Sequence, residues 1–503
     1  MINPNHMSKY TRILLLWAFF LLGLSWSCSK KEQPDPIDPP PVDTSNVNKP
    51  INFDLLKDTY YDLAPVQNVY QWGIYNTHDP AVLYHDGFYY SYSTDVAFGA
   101  TVQSGLQIRR SKNLIEWQFA GWVFDGLPKL GADFIRSNGG EPFKALWAPY
   151  VVKVGTEFRL YYSLSSAKPR LSVIGMATAK TPVGPWTEKG LAVTSLDDRN
   201  RQTNAIDPSV LVDPSGKHWM YYGSAWDGIY LLPLNPGTGL AASSGDKGIR
   251  VANRGFTGGR YNGNIEGPEI IYNEQLGKYY LFISYDWLES KYNVRVGRSN
   301  SPDGPFLDYQ GRDLNQDIDH GPMILAPYQF TGHLGWQGTA HCGVFKDDKG
   351  QYFMAHQGRP GENRFFMNMH VRKIHWTENG WPIVSPQRYA GVAAKNINKA
   401  DLVGNWEFIR LGYKVVPGYA EEQTSPDFQV AQPYVLNIDG TFNNNAGNRW
   451  DFSAPWLSLT WADGKTAKVW VEYGRDWENK VVETLLWSGL DQEGVALWGK
   501  KIK

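Results

Sequence analysis

A chain of 503 residues exceeds one ordinary core, so two domains are the natural expectation. Lys and Arg number 49 against 50 Asp and Glu, and the net charge of −1, with no basic run in the body of the chain, excludes the electrostatic footprint of a nucleic-acid binder. Aromatic residues are abundant, at 21 Trp, 29 Tyr and 22 Phe. Flat ring faces suit sugars, but strands also favour aromatics, so composition leaves both readings open.

From Met7, or from Met1 if translation begins there, Lys9 and Arg12 precede an apolar run from Ile13 to Leu24. The run is too short to span a bilayer and suits a signal peptide. It ends at Leu24-Ser25-Trp26-Ser27-Cys28, which resembles a bacterial lipoprotein signal whose Cys28 becomes the lipidated first residue; Trp26 departs from the small residue usual there. Residues 1–28 are therefore expected to be a lipoprotein signal peptide and 29–52 a Pro-rich tether, because proline-rich sequence stays extended and unpacked. The expected location is the outer membrane of a Gram-negative bacterium, on its cell surface or periplasmic face. A plain secretory signal with a chance cysteine is the alternative. The other cysteine is Cys342, so no intrachain disulfide is expected in the mature chain and the fold must rest on its core.

Beyond the tether a unit recurs five times: a short motif, a hydrophobic strand, a Gly-bearing turn and an aromatic-rich returning strand. The openings are His78-Asp79-Pro80, Trp147-Ala148-Pro149, Ile206-Asp207-Pro208, Ile265-Glu266-Gly267-Pro268 and a divergent Ala340-His341-Cys342. Steps of 69, 59, 60 and 74 residues separate Pro80, Pro149, Pro208, Pro268 and Cys342. About sixty residues holding about four strands, without a long amphipathic helix, predict the blades of a propeller. Thr181-Pro182-Val183-Gly184-Pro185-Trp186 and Ser301-Pro302-Asp303-Gly304-Pro305-Phe306 occupy corresponding places in their units. The expected architecture is all-β: a five-bladed β-propeller over 53–398, then a small all-β domain, barrel or sandwich-like, over 399–503. Strands at Ala467–Glu472 and Thr484–Trp487 belong to the second domain, in which no catalytic constellation is visible.

Innermost strands of a propeller begin near its central channel, so equivalent openings converge on the axis. Three openings carry a carboxylate at the motif proline: Asp79 and Asp207 directly beside it and Glu266 one residue further off. One Asp-Pro alone is turn chemistry, as Asp213-Pro214-Ser215-Gly216 is expected to be. Three in register point instead to a site. Glycosidic hydrolysis needs a protonated acid for the leaving oxygen and an ionised carboxylate that activates water or attacks directly, and neighbouring acids push one another's pKa values apart.

In that order these motifs resemble the signature of glycoside hydrolase family 43, and the resemblance extends from about residue 70 to the C-terminus. Leu146-Trp147-Ala148-Pro149, Tyr222-Gly223-Ser224-Ala225-Trp226-Asp227-Gly228-Ile229, His370-Val371-Arg372-Lys373-Ile374 and Gly404-Asn405-Trp406 are similar to its two-domain bacterial endo-1,5-α-L-arabinanases. The resemblance implies Asp79 as general base, Glu266 as general acid, Asp207 as modulator of the acid's pKa, and inversion at the anomeric carbon. It also implies one calcium ion, mostly water-coordinated, beside His341, although Gly338-Thr339-Ala340-His341-Cys342-Gly343 departs from the common Gly-His-Asn-Ser. A hydrogen-bonded channel histidine is the generic alternative. Trp147, Ser224, Trp226 and Arg359 are candidate substrate contacts, Trp72 a weaker one. Ser166-Ala167-Lys168-Pro169-Arg170 departs from the aromatic-bearing loop expected, and the stretch from Gly239 to Gly263 could close one end of a groove. The implied partner is arabinan or an arabino-oligosaccharide, with a membrane through the lipid anchor, no nucleic acid and a monomeric chain. An exo-acting α-L-arabinofuranosidase, a β-xylosidase and a non-catalytic surface glycan-binding lipoprotein remain open alternatives.

Overall fold

The pairing of each opening strand with the aromatic strand that follows it sets the architecture. In the computed structural model the described residues are 51–53, 56, 68–96, 102–196, 202–257, 260–261, 263–412 and 423–502. The expected signal peptide, Cys28 and all but the last two residues of the expected tether lie outside them. Asn52–Lys503 forms one unit.

The first repeat folds as β1 (His78–His85), β2 (Phe88–Thr94), β3 (Gln107–Ser111) and β4 (Gln118–Trp122), hydrogen-bonded in that order. Its first turn is Asp86-Gly87, with φ of 50° and 78°, the left-handed pair a tight hairpin needs. Helix α1 (Lys129–Ser137) then leads to β5 (Trp147–Val154), β6 (Glu157–Ser165), β7 (Ser172–Ala179) and β8 (Thr187–Ser195). The third repeat is β9 (Ser209–Val212), β10 (His218–Tyr222), β11 (Ile229–Leu234) and β12 (Ile249–Ala252). Asp213 is the hairpin residue expected: its Oδ1 accepts from Ser215 N–H at 2.8 Å and Lys217 N–H at 3.0 Å. A small hairpin, β13 (Phe256–Thr257) with β14 (Arg260–Tyr261), precedes β15 (Ile265–Asn273), β16 (Lys278–Tyr285), β17 (Asn293–Ser299) and β18 (Met323–Leu325).

These four repeats are separate four-stranded blades. The expectation of a fifth of the same kind needs correction. After β19 (Tyr328–Gln329) and β20 (Trp336–Gln337), strands β21 (Gly343–Lys346), β22 (Tyr352–Pro360), β23 (Asn368–Trp376) and β24 (Pro382–Val384) pair in the same antiparallel sequence. However, β22 outruns its pairing with β21, which ends at Ala355, and β20 takes the free edge at Arg359 and Pro360. The sheet thereby grows to seven strands, and the propeller has four free-standing blades.

Aromatic residues of the returning strands fasten one repeat to the next. Tyr92 OH donates to Pro182 O at 2.6 Å, Tyr161 OH to Gly239 O at 2.8 Å, Tyr280 OH to Gly380 O at 2.5 Å, and Tyr221 OH to Pro302 O. Two of these acceptors lie in the paired Pro-Xaa-Gly-Pro turns noted in the sequence, whose Trp186 and Phe306 stand edge-on to Tyr92 and Tyr221, each 6.0 Å away. Each latch combines a ring's apolar burial, about 2 kcal/mol, with a hydrogen bond worth about 1 kcal/mol net.

The C-terminal strands are β25 (Gly404–Arg410), β26 (Gln429–Val430), β27 (Gln432–Leu436), β28 (Arg449–Ser453), β29 (Trp456–Thr460), β30 (Thr466–Asp476), β31 (Val481–Asp491) and β32 (Ala496–Lys501). Seven form one antiparallel sheet in the order β27-β25-β32-β31-β30-β29-β28. Tyr434 on one edge strand and Trp450 on the other share an apolar cluster with Trp406 and Trp487, so the sheet curls around a single core. Its outer face supplies Ile409, Leu490 and Trp498 to a second cluster with Tyr328, Trp336 and Trp381. The remaining strand, β26, leaves this sheet and runs parallel to β19.

Candidate active site

All five openings share one backbone feature that composition does not reveal. Asp79, Ala148, Asp207, Gly267 and His341, each directly before the motif proline or Cys342, have φ of 52°, 32°, 59°, 57° and 49°. Proline disfavours the right-handed helical region for the residue before it, and the left-handed region costs an ordinary residue about 1–2 kcal/mol. The cost is sustained by a ring of hydrogen bonds. Ala148 N–H donates to Thr94 Oγ1 at 2.8 Å, Asp207 N–H to Ser163 Oγ at 3.0 Å and Gly267 N–H to Asp207 Oδ2 at 3.3 Å. His341 N–H donates to Ser284 Oγ at 2.9 Å, and Asp79 N–H to Gln357 Oε1 at 3.0 Å. Every acceptor belongs to the preceding repeat, and the last bond joins the fifth repeat to the first. Register shifts at His78/Ala81, Trp147/Tyr150 and Glu266/Glu269 accompany this geometry, bulges that re-aim the side chains between them.

Three carboxylates and two imidazoles meet there. Asp79 Oδ1 lies 2.9 Å from His341 Nδ1, Asp79 Oδ2 lies 2.7 Å from His78 Nδ1, and Thr94 Oγ1 donates to Oδ2 at 2.8 Å. Burial pushes the Asp79 carboxyl up, but His341 and His78 outweigh it and hold the group well below its ordinary range. Arg359 Nη2 and Gln357 Nε2 both point at His78 Nε2, at 2.9 and 3.0 Å. Each is a donor, so Nε2 accepts and the ring proton sits on Nδ1, facing Asp79. For His341, burial acts to lower the imidazolium, yet Asp79, then Asp207 and Glu266, raise its pKa to about 9. Asp207 behaves oppositely to Asp79: burial carries its carboxyl well above the ordinary value, His341 opposing and the charges of Glu266 and Asp79 adding to the rise.

Glu266 is the half-buried member, bracketed by Ser224 Oγ on Oε2 and Tyr292 OH on Oε1, both at 2.8 Å. Gly267 follows it for a steric reason: a Cβ there would lie 2.9 Å from His341 Nδ1. Behind the site, the buried Glu269 accepts from Val344 N–H and Ser209 Oγ, each at 2.9 Å, and burial carries its carboxyl up to about 8.

The other expected residues divide. Trp147 is partly open and stacks at 5.2 Å on Phe143, itself exposed, as an aromatic platform. Trp226 is 48% exposed, with the Arg170 guanidinium 5.3 Å from its ring, so the loop that lacks an aromatic contributes a cation instead. The hydroxyl of Ser224 is directed at Glu266. Arg359 is fully buried behind His78 and also donates to Arg364 O at 2.6 Å. Trp72 is likewise buried, against Tyr75 and Phe366. No group of three His, Cys, Asp or Glu side chains among the described residues could hold a metal ion. With His341 Nδ1 taken by Asp79, the donor set does not fit a calcium ion caged by protein and would suit only one held mostly by water. Thr94, Ser163, Ser284, Gln357 and Tyr292 were not foreseen. The first four share a signal, a polar residue closing or following the aromatic core of a returning strand.

The model of the glycosyl hydrolases family 43 matches residues 73–382, and that of a C-terminal lipocalin-like domain matches 386–499. The chain is 26% identical over 493 residues to an extracellular endo-alpha-(1->5)-L-arabinanase of Thermotoga petrophila, covering 88% of this chain and 97% of that protein. It is 30% identical over 322 residues to an extracellular exo-alpha-(1->5)-L-arabinofuranosidase of Cellvibrio japonicus, covering 61% and 86%. Among solved structures, the glycoside hydrolase family 43 YxiA protein of Bacillus licheniformis aligns with a TM-score of 0.71 at 26% identity, covering 85% of this chain and 98% of that one.

Proposed function

Because this chain belongs to family 43 of the glycosyl hydrolases, we propose that it hydrolyses internal 1,5-α-L-arabinofuranosidic bonds of arabinan, the polymer of pectin side chains, with inversion. The observation that carries the proposal is the opposite environment of two carboxylates on one ring: Asp79 paired with His78 at 2.7 Å and His341 at 2.9 Å and held well below its ordinary range, Asp207 carried well above its own by burial.

Asp79 takes a proton from water as that water attacks the anomeric carbon. Glu266, the more accessible of the acids, gives a proton to the departing oxygen. Asp207, whose carboxyl is carried up by burial with the charges of Glu266 and Asp79 adding to the rise, modulates the acid. His341 offsets the accumulated negative charge. A mostly water-held calcium ion would be held beside His341 and would add to that compensation; no step depends on it.

The endo assignment is supported by the two-domain relative, 97% of which is matched, while the exo-named relative aligns with only 61% of this chain. The exo alternative stands on that second likeness. Proton NMR of the first product formed from an arabino-oligosaccharide tests inversion, since a retaining enzyme releases the starting anomer. Within the same proposal the fifth sheet serves as the fifth blade over 53–398, supported by the hydrogen-bond ring that Asp79 and Gln357 close, and 399–503 is the second domain. Secretion is supported by relatives named extracellular, and anchoring through Cys28 at an outer membrane by Leu24-Ser25-Trp26-Ser27-Cys28; a monomeric chain is part of the same proposal. Labelling cells with a radioactive fatty acid tests the anchor: label absent from the wild type, or kept by Cys28→Ala, would overturn it.

A further inference from the structure

Between β16 and β17 the chain makes a tight loop, residues 286–292, that ends on the tyrosine touching Glu266. Asp286 has φ of 73°, its N–H donates to Asn264 O at 3.0 Å, and its carboxylate pairs with Arg254 Nη1 at 3.1 Å. Tyr292 N–H donates to Trp287 O at 3.1 Å, while Gly338 N–H donates to Ser290 O at 2.8 Å. The loop is thus bonded to the segments entering both Glu266 and His341.

Its outer side is covered by one residue from far along the chain. Gln423 is fully buried and lies within the stretch matched by the lipocalin-like domain. Its Oε1 accepts from Trp287 N–H at 2.7 Å, its Nε2 donates to Asp286 Oδ1 at 3.2 Å, and its carbonyl accepts from Ser290 Oγ. Lys291 pairs with Asp427 nearby, and β26 continues the same segment along β19. One residue therefore holds three of the loop's first five residues, two through its side-chain amide and one through its main-chain carbonyl.

We infer that Gln423 is a positioning residue for Glu266, through which the C-terminal segment fixes the 286–292 loop and, with it, the Tyr292 hydroxyl on the acid. The inference rests on the reading of Glu266 as general acid. Tyr292 suits the task because burial, then the charge of Glu266, push its phenol well above the ordinary value, so it remains a donor. A carboxyl released from that donor is misaligned with the leaving oxygen, and a 1 Å misplacement can cost about a hundredfold in rate.

The full chain carrying Gln423→Ala, Tyr292→Phe or both decides the matter. The expected result is a roughly tenfold loss of kcat on arabino-oligosaccharides for each single variant, KM within about twofold, and a double variant no slower than Tyr292→Phe alone. On an aryl arabinobioside whose leaving group needs no proton, Gln423→Ala should match the wild type. Amide exchange should quicken in 286–292 of that variant. Multiplying losses, or unchanged exchange in the loop, would overturn the inference. If Gln423→Ala does not fold, Ser290→Ala, which removes one of the three bonds, should show the same pattern more weakly, and wild-type exchange and kcat in that variant would equally overturn it. A wild-type chain inactive on arabinan would instead sink the proposed function, with the exchange measurement still deciding the loop's dependence on Gln423.

Discussion

Gly267→Ala separates the backbone demand at the five openings from the steric demand of the site. At φ of 57° an alanine costs about 1–2 kcal/mol, but Asp79, Ala148, Asp207 and His341 already tolerate that conformation, so strain alone does not explain the glycine. The specific reason is the His341 ring, with Nδ1, Cγ and Cε1 at 2.9, 3.1 and 3.2 Å from the added Cβ. Restoring ordinary contact shifts the ring by about 0.5 Å and disturbs its 2.9 Å pairing with Asp79. The expected outcome is a modest fall in unfolding temperature, a ten- to hundredfold loss of kcat/KM on arabinan, and an acidic limb displaced to higher pH because Asp79 loses its strongest opposing charge. Gly87→Ala is the control: its φ is 78° and nothing lies within 4 Å of the added carbon, so it meets the backbone cost alone and keeps wild-type kinetics. Wild-type kcat/KM and pH profile in Gly267→Ala would refute the reasoning.

Thr94→Val removes the donor to Asp79 and strands the Ala148 N–H, so stability should fall by about 1–3 kcal/mol and the acidic limb of kcat/KM should move up; denaturant titration and a pH–rate profile check both. Glu269, at about 8 against 4.5 in the unfolded chain, holds a proton in the fold that the unfolded chain releases. Wild-type stability therefore falls as pH rises from about 4.5 to 8, and Glu269→Gln should flatten that decline in thermal melts at pH 5 and 8.5; an unchanged slope would contradict it. Trp226→Ala should raise KM on arabino-oligosaccharides roughly tenfold with kcat little altered, because the exposed ring offers a binding face.

The repeat, the three acids and the order of strands could be read from the chain because the opening motifs and aromatic returning strands recur at near-constant spacing. The fifth repeat was found by its strand, Tyr352–His356, but its fusion with β20 was not, since a two-residue pairing at Trp336 and Gln337 leaves no periodic trace. Left-handed backbone at Ala148 and His341 was equally invisible: neither residue type announces it, and only the bond from the neighbouring repeat sustains it. Arg359 stands in the sequence as a candidate substrate contact, and nothing there indicates that its buried guanidinium faces His78. Tyr292 was one of 29 tyrosines, and nothing in sequence distinguishes the one whose hydroxyl meets Glu266.

The most direct test of the central claim is to incubate the chain without its signal with linear 1,5-α-arabinan and size the products, with Glu266→Ala alongside. An early mixture of arabino-oligosaccharides from the wild type, absent from the variant, is the predicted result. Absence of products from the wild type, or the same mixture from Glu266→Ala, would contradict the account.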